Sequence, residues 1–307
     1  MIAEKWKPHL ALLVVNAIYG AGYSIAKIPL NGFINPGVFI FIRVSVSLFL
    51  FAILVFLLIK SKYKIDLSDI PRLALCGLFG ISINQICFFE GLSRTSEMNA
   101  SLLMILSPIL VLIIATISGE EKISFIKILG VCLGVIGALI ILFNKGLNLS
   151  LNKVGLIGDM YILINAISYS IYLVIVKKLM TKYEVLKVIM YVFLFGWFPV
   201  LFYSIPKFKD VDFTSFTSSV WLSIAFIVLF VTFIAYLLNI YAIGKSSASL
   251  VGVYIYIQPI FAAFFTFIFT HKALYFYHIL ASVFIFTGVY LVSFSHRFSS
   301  MIKRPIS

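Results

Sequence analysis

Apolar stretches separated by short polar ones run along the whole chain, and ten of them approach the roughly 20 residues that a membrane-crossing helix needs. They fall at about 8–28, 37–59, 71–91, 98–117, 124–144, 154–176, 186–205, 219–243, 248–270 and 274–294. Between them only 60–70, 144–153 and 206–218 are long enough to be loops, so no soluble domain is expected among the spans. The first run is long enough to span and is followed by no convincing small-residue cleavage site. It reads as the first span, not as a signal peptide.

Within this pattern, 91–143 and 242–294 align without a gap at a constant offset of 151. Ser96 meets Ser247, Pro108 meets Pro259, Gly137 meets Gly288, and Arg94-Thr95 meets Lys245-Ser246. Matches among Ile, Leu and Phe carry little weight in so apolar a chain; the prolines, glycines and basic-hydroxyl pairs carry more. Asn16-Ala17-Ile18 recurs as Asn165-Ala166-Ile167 at offset 149, which extends the duplication to the start of each half. The expected units are 8–144 and 154–294, with tails 1–7 and 295–307. Five spans is an odd number, so the second unit must lie inverted relative to the first. The fold class expected is therefore an all-α integral membrane protein with ten transmembrane helices arranged as two inverted five-helix repeats, an architecture associated with transporters.

Composition supports a membrane chain: 62% of residues are hydrophobic and 11% charged, against about 25% charged in soluble domains. The net charge of +13 would point to nucleic acid in a soluble protein, but here the basic residues sit between spans, where they set orientation. With the N-terminus inside, the inner side collects Lys5, Lys7, Lys60, Lys62, Lys64, Arg72, Lys122, Lys127, Lys177, Lys178, Lys182, Lys187, Lys245, Arg297, Lys303 and Arg304. The outer side collects Lys27, Arg94, Lys145, Lys153, Lys207, Lys209 and Lys272. Sixteen against seven favours both termini in the cytoplasm of a cell membrane. The partners expected are the lipid bilayer and a small-molecule substrate, with no nucleic acid, and a homodimer is left open. Cys76, Cys87 and Cys132 all fall inside spans and read as buried apolar thiols.

Pro108 and Pro259 lie near the middle of spans four and nine, preceded by Ser107 and Gln258. Each removes a helical hydrogen bond and frees a carbonyl that in lipid needs another partner. Interrupted helices at matching places in two repeats point at a transport site. Spans one and six each carry a polar stripe at helical spacing: Asn16, Tyr19, Tyr23 and Lys27 in one, Asn165, Ser168, Tyr169 and Tyr172 in the other. Such faces turn away from lipid, either to line a cavity or to bond helices together at about 0.6–2 kcal/mol per contact. The repeat register also sets Gln85 opposite Tyr236, and span nine places Tyr254 four residues before Gln258. The candidate substrate-binding set is thus Asn16, Tyr19, Tyr23, Arg43, Gln85, Asn165, Tyr169, Tyr172, Tyr236, Tyr254 and Gln258.

Arg43 is a basic residue well inside a span, where a charge costs at least about 2.5–3.5 kcal/mol and needs a partner or a route to water. Counted from Gly37, it lies about 9 Å below the outer end of span two. It could hold an anionic group such as a carboxylate. Glu90 and Asp159 lie toward the same side, and an outer vestibule of Arg43, Glu90 and Asp159 would place ionic partners or proton carriers together. The simpler alternative pairs Glu90 with Arg94 one turn on. Gly130, Gly134 and Gly137 in span five form a close-packing stripe, within or between subunits.

No signal for catalysis, cofactor or metal emerges. Gly244-Lys245-Ser246 imitates the end of a phosphate loop but has Asn239 where that motif needs glycine, and no strand precedes it. His9, His271, His278 and His296 are too scattered to hold a metal.

Gly91-Leu-Ser-Arg-Thr-Ser-Glu-Met-Asn-Ala-Ser, continuing through Pro108, Glu120-Glu121 and Gly130 to Gly137, resembles the EamA domain of the drug/metabolite transporter superfamily. The second copy, from Ala242 through Pro259 to Gly288, resembles it as well, and Asn35-Pro36 leading to Arg43 is similar to the family's second helix. The resemblance covers about Leu10 to Phe294. It implies ten helices in two inverted repeats, cytoplasmic termini, and export or exchange of small metabolites such as amino acids or related amphipathic compounds. The chain departs from the family's pattern at Tyr19-Gly20, at His271-Lys272 and in span seven, so an asymmetric site is expected. The alternative class is an integral membrane enzyme acting on lipid-linked substrates. That would call for convergent acids, histidines or a nucleophile in the loops, which instead carry mostly lysines.

Overall fold

The structure is a computed structural model, and it describes residues 2–59, 65–95, 97–144, 153–261, 264–265 and 276–302. Lys62, Asn148, His271, Lys272 and Arg304, and most of the sequence after Phe261 in the ninth apolar run, lie outside the described residues. All regular secondary structure among the described residues is helical. The elements are α1 (Ile2–Leu30), α2 (Pro36–Leu58), α3 (Leu67–Arg94), α4 (97–117), α5 (Phe125–Asn144), α6 (Lys153–Met180), α7 (Val185–Ser204), α8 (Ser218–Lys245), α9 (Ala248–Phe261) and α10 (Phe276–Ile302). Among the described residues each apolar run seen in the sequence holds helical structure, of unequal length. Six are long and apolar enough to cross a membrane: Trp6–Leu30, Pro36–Leu58, Leu67–Arg94, Lys153–Met180, Val185–Asp210 and Ser218–Lys245. Four shorter apolar helices, Leu106–Ile117, Phe125–Ile140, Ala248–Phe261 and Ile279–Ser295, complete the set.

Local chemistry accounts for the ends and the breaks. Asn35 starts α2 by accepting from the Gly37 amide at 3.0 Å, and Pro36 sits in the first turn, where its missing N–H costs nothing. α4 is broken at Ile105, because Pro108 cannot donate to the Met104 carbonyl four residues back and its ring pushes that carbonyl aside. In α9 the matching Pro259 follows a tight 3-10 turn over Tyr254–Ile257 that includes Ile255, its own i−4 residue. Both prolines therefore act one turn upstream of themselves.

Two further irregularities were not foreseen from the sequence. α3 carries a π-turn at Leu78–Ile83 and α8 one at Ile227–Ile234. Shifted by 151 residues the first falls on 229–234, inside the second. A π-turn widens the helix and disturbs its hydrogen-bond ladder, and side chains meet the carbonyls it leaves. Ser168 Oγ donates to Phe79 O at 2.6 Å and Tyr236 Oη to Gly80 O at 3.2 Å, while Thr232 Oγ1 donates to Ile227 O at 2.9 Å within α8.

Packing follows the duplication. α1 lies along α8, α6 lies along α3, α2 packs on α7, and α5 packs on α10. The α5–α10 contact uses the glycine stripe: a Cβ on Gly130 would stand 2.8 Å from Gly288 O, and one on Gly137 2.7 Å from Ala281 O. The stripe thus serves contact within one chain. Large apolar side chains such as Phe49, Phe56, Leu58, Phe125, Phe202 and Leu222 are exposed on the outside, far more than a water-soluble surface carries. They form the lipid-facing surface.

Gly288→Leu should therefore destabilise the protein by about 1–3 kcal/mol through overpacking, because a Cβ there collides with the Gly130 carbonyl. Gly244→Ala should be neutral or mildly stabilising, since its Cβ meets Met180 only at 3.6 Å. Thermal unfolding of the two variants in detergent checks both signs.

Candidate functional site

The centre of the bundle contains a cavity of about 80 Å³, several times the roughly 10–15 Å³ that one water needs. Its wall draws on α1, α2, α3, α4, α6, α8 and α9. Of the eleven residues picked from the sequence, eight line it: Tyr19, Tyr23, Arg43, Gln85, Asn165, Tyr169, Tyr236 and Gln258. The other three stand behind the wall. Asn16 accepts from Gln258 Nε2 at 2.9 Å and donates to Leu12 O, so it fixes a lining amide from the rear. Tyr172 is buried with its ring against Gly80, and Tyr254 is bonded through its hydroxyl to His9 Nδ1 at 2.7 Å.

The polar lining is hydrogen-bonded in several clusters. Gln85 Nε2 donates to Tyr236 Oη and to Asn84 Oδ1, Asn165 Nδ2 donates to Asn84 O at 2.8 Å, and Asn239 Nδ2 donates to Tyr169 Oη at 2.7 Å. Cavity lining and interhelical bonding, weighed as rivals in the sequence, are here done by the same side chains. Sequence reading missed Gly22, Asn84, Phe88, Phe89, Met104, Ile227, Val231 and Ile255 in the wall. Asn84 carried a signal, an amide next to Gln85. The apolar ones are indistinguishable by type from lipid-facing neighbours.

The expected vestibule of Arg43, Glu90 and Asp159 does not form. Arg43 is 1% exposed; its Nε donates to Thr232 Oγ1 at 2.9 Å, and its guanidinium carbon sits 4.3 Å from the Phe89 ring centroid and 5.9 Å from that of Phe39. Hydrogen bonds from charged groups contribute about 1.5–3 kcal/mol and cation–π contacts about 0.5–2, enough to offset the burial of one cation. Neighbouring positions on α3 point about 100° apart, and this separates the charges. Phe89 faces Arg43, whereas Glu90 faces α7 and accepts from Lys207 at 2.7 Å, from Tyr203 and from Arg94. The pairing of Glu90 with Arg94 one turn on is the arrangement observed. Asp159 accepts from Thr95 Oγ1 at 2.5 Å and from Asn99 Nδ2 at 3.5 Å. Thr232, the one polar residue in the Ile227–Ile234 run, was legible as an oddity and was passed over.

A model of the EamA-like transporter family matches residues 6–143 and again 156–294, nearly the whole chain. The chain belongs to the EamA-like transporter family. It is a multi-pass membrane transporter. Among its relatives, an uncharacterized transporter of Archaeoglobus fulgidus is 24% identical over 74% of this chain and 77% of that protein. The uncharacterized transporter YetK of Bacillus subtilis is 21% identical over 95% and 88%, and the WAT1-related protein At4g01430 of Arabidopsis thaliana 24% identical over 95% and 88%. A solved crystal structure superposes with a TM-score of 0.73 over 94% of this chain and 96% of that one at 14% identity, a likeness of fold alone.

Ionic and capping contacts tie helix ends together at both ends of the transporter. At one, Lys27 Nζ donates to Thr95 O at 2.9 Å, at the C-terminus of α3. At the other, Lys177 Nζ donates to Ile243 O at 2.7 Å and to Ser246 O, at the C-terminus of α8. Cations are favoured at helix C-termini, and the acceptors Thr95 and Ser246 match in the duplication, with the two lysines one residue out of register. Beside Lys177, the loop carboxylate of Glu121 accepts from Lys127 Nζ at 2.6 Å and from the Ser249 amide at 2.9 Å, in the first turn of α9.

Burial pushes the Glu121 carboxyl up, but Lys127 and the Ser249 amide outweigh it and hold its pKa below the ordinary carboxylate value. A lowered folded pKa gives stability that is full above the unfolded value and is lost as pH falls through the folded one. Glu121→Gln should accordingly cost about 1–3 kcal/mol at neutral pH, and the gap to wild type should close as pH drops below the carboxylate range. Thermal unfolding across pH reads this out.

Proposed function

We propose that the chain is a secondary carrier of small metabolites, such as amino acids or related amphipathic compounds, acting by alternating access as an exporter or exchanger. Its units are 8–144 and 154–294, ten membrane helices in two inverted repeats, with both termini in the cytoplasm of a cell membrane.

One observation carries this reading: residues at equivalent places in the two units touch each other at the cavity. Gln85 and Tyr236, 151 positions apart, are hydrogen-bonded. Trp197 Nε1 donates to Ser45 Oγ at 2.8 Å, one residue from the same offset. Contact between equivalents is what a two-fold axis between the halves produces, and a cavity on that axis is lined by both halves. The exchanged packing of α1 with α8 and of α6 with α3 fits the same symmetry, as do the paired π-turns and the paired lysine caps.

Charge supports the orientation. Lys182, assigned inside, bonds Asp66 at 2.5 Å and Asp69 at 2.6 Å at one end of the bundle, while Lys207 and Arg94, assigned outside, meet on Glu90 at the other.

Single cysteines placed at Lys62, Lys182 and Arg304 should be shielded from an impermeant thiol reagent in intact cells, and those at Asn148 and Asp210 should react. Labelling of Lys62 or Lys182 from outside would overturn the inverted arrangement.

Carrier activity is tested in proteoliposomes preloaded with amino acids, organic acids or nucleosides. Labelled compound should exchange faster than in empty vesicles for at least one class, and Gln258→Trp, which fills the cavity, should reduce that exchange at least tenfold. Exchange unaffected by Gln258→Trp would place the route elsewhere.

A further inference from the structure

Arg43 is the one formally charged residue in the described cavity wall. Its Nη1 is buried without a partner. The acids expected to neutralise it are engaged elsewhere, Glu90 by Lys207, Tyr203 and Arg94, and Asp159 by Thr95. The wall otherwise supplies amides and hydroxyls together with apolar and aromatic surface from Phe88, Phe89 and Val231.

We propose that the cavity takes small organic monoanions, a single carboxylate on a flat apolar body, with the carboxylate on Arg43 and the body against Phe88 and Val231. The inference rests on the carrier reading and supplies its substrate class. The planar guanidinium fork matches the two oxygens of a carboxylate. One cation in the wall favours one negative charge: a second would be buried unpaired. A ring or other flat body suits walls built of aromatic and branched side chains.

Thr232 is a positioning residue in this scheme. Its hydroxyl donates to Ile227 O across the α8 π-turn and accepts from Arg43 Nε. The hydroxyl thus fixes one edge of the guanidinium and leaves the other for a ligand.

The test uses the full chain in nanodiscs and four probes: 3-phenylpropanoate, its amide, L-phenylalanine and phenylsuccinate. Calorimetry should show 3-phenylpropanoate bound at least tenfold more tightly than the amide and more tightly than the dianion. Arg43→Gln should bring the acid down to the level of the amide, and Arg43→Lys should restore part of the difference. Thr232→Val should weaken the acid severalfold and leave the amide unchanged, a split that general destabilisation would not give. The wild-type probe series needs no variant, so misfolding of Arg43→Gln leaves it decisive. Equal binding of acid and amide, tenfold preference for L-phenylalanine, or no binding of the acid would each overturn the proposal. Exchange of the amide as fast as the acid in proteoliposomes would leave the carrier standing and sink the anion site. Binding of the acid with no exchange flux for any class would do the reverse.

Discussion

In a hydrocarbon surrounding, every backbone N–H and C=O must find its partner inside the protein, and the architecture of this transporter follows from that single constraint. Regular helix satisfies it residue by residue. Each place where the helix is irregular has to be met by a side chain, and the two π-turns show how. Phe79 O and Gly80 O are met by Ser168 from α6 and Tyr236 from α8, and Ile227 O by Thr232 from its own helix. A polar side chain sent across to satisfy a backbone group brings its neighbours with it. The same constraint that forces these contacts therefore gathers Asn84, Gln85, Asn165 and Tyr236 around one central space.

The duplication explains why the irregularities come in pairs. A proline near the middle of α4 is matched in α9, a π-turn in α3 is matched in α8, and a lysine capping α3 is matched by one capping α8. Two copies of one unit packed together bring the irregular backbone of α3 beside the polar side chains of α6 and α8. Divergence then assigns separate jobs: the register pairs Gln85 with Tyr236, and they bond as amide and phenol, a better match than two of either kind.

Hydrophobic periodicity and the repeat made the helices, their order and the polar half of the cavity wall legible in the sequence. What stayed hidden depends on rotation about a helix axis and on hydrogen-bond phase. Arg43, Phe89 and Glu90 could be placed in depth by counting residues, but the direction each faces is set by packing, and so the vestibule expected among the charges gave way to separate contacts for Arg43, Glu90 and Asp159. The π-turns left no mark in composition, since Leu78–Ile83 and Ile227–Ile234 read like any other apolar turn. Asn16, Tyr172 and Tyr254 are buried but do not line the cavity, and spacing along a helix does not tell a buried polar residue from a lining one.

The distribution of charge also decides where the bundle is held most firmly. Acidic and basic side chains are spent at the ends, tying loops and helix termini in pairs such as Lys182 with Asp66, both well exposed. Pairs of that kind contribute about 0–1 kcal/mol each. Interhelical polar contacts at mid-depth contribute about 0.6–2 kcal/mol. The ion pairs at the ends are thus the weaker contacts, and the polar contacts around the cavity, where Gln85 bonds Tyr236, hold the bundle more firmly. The one guanidinium in the described cavity wall is held differently, by the Thr232 hydroxyl and the faces of Phe89 and Phe39, because no carboxylate among the described residues reaches it.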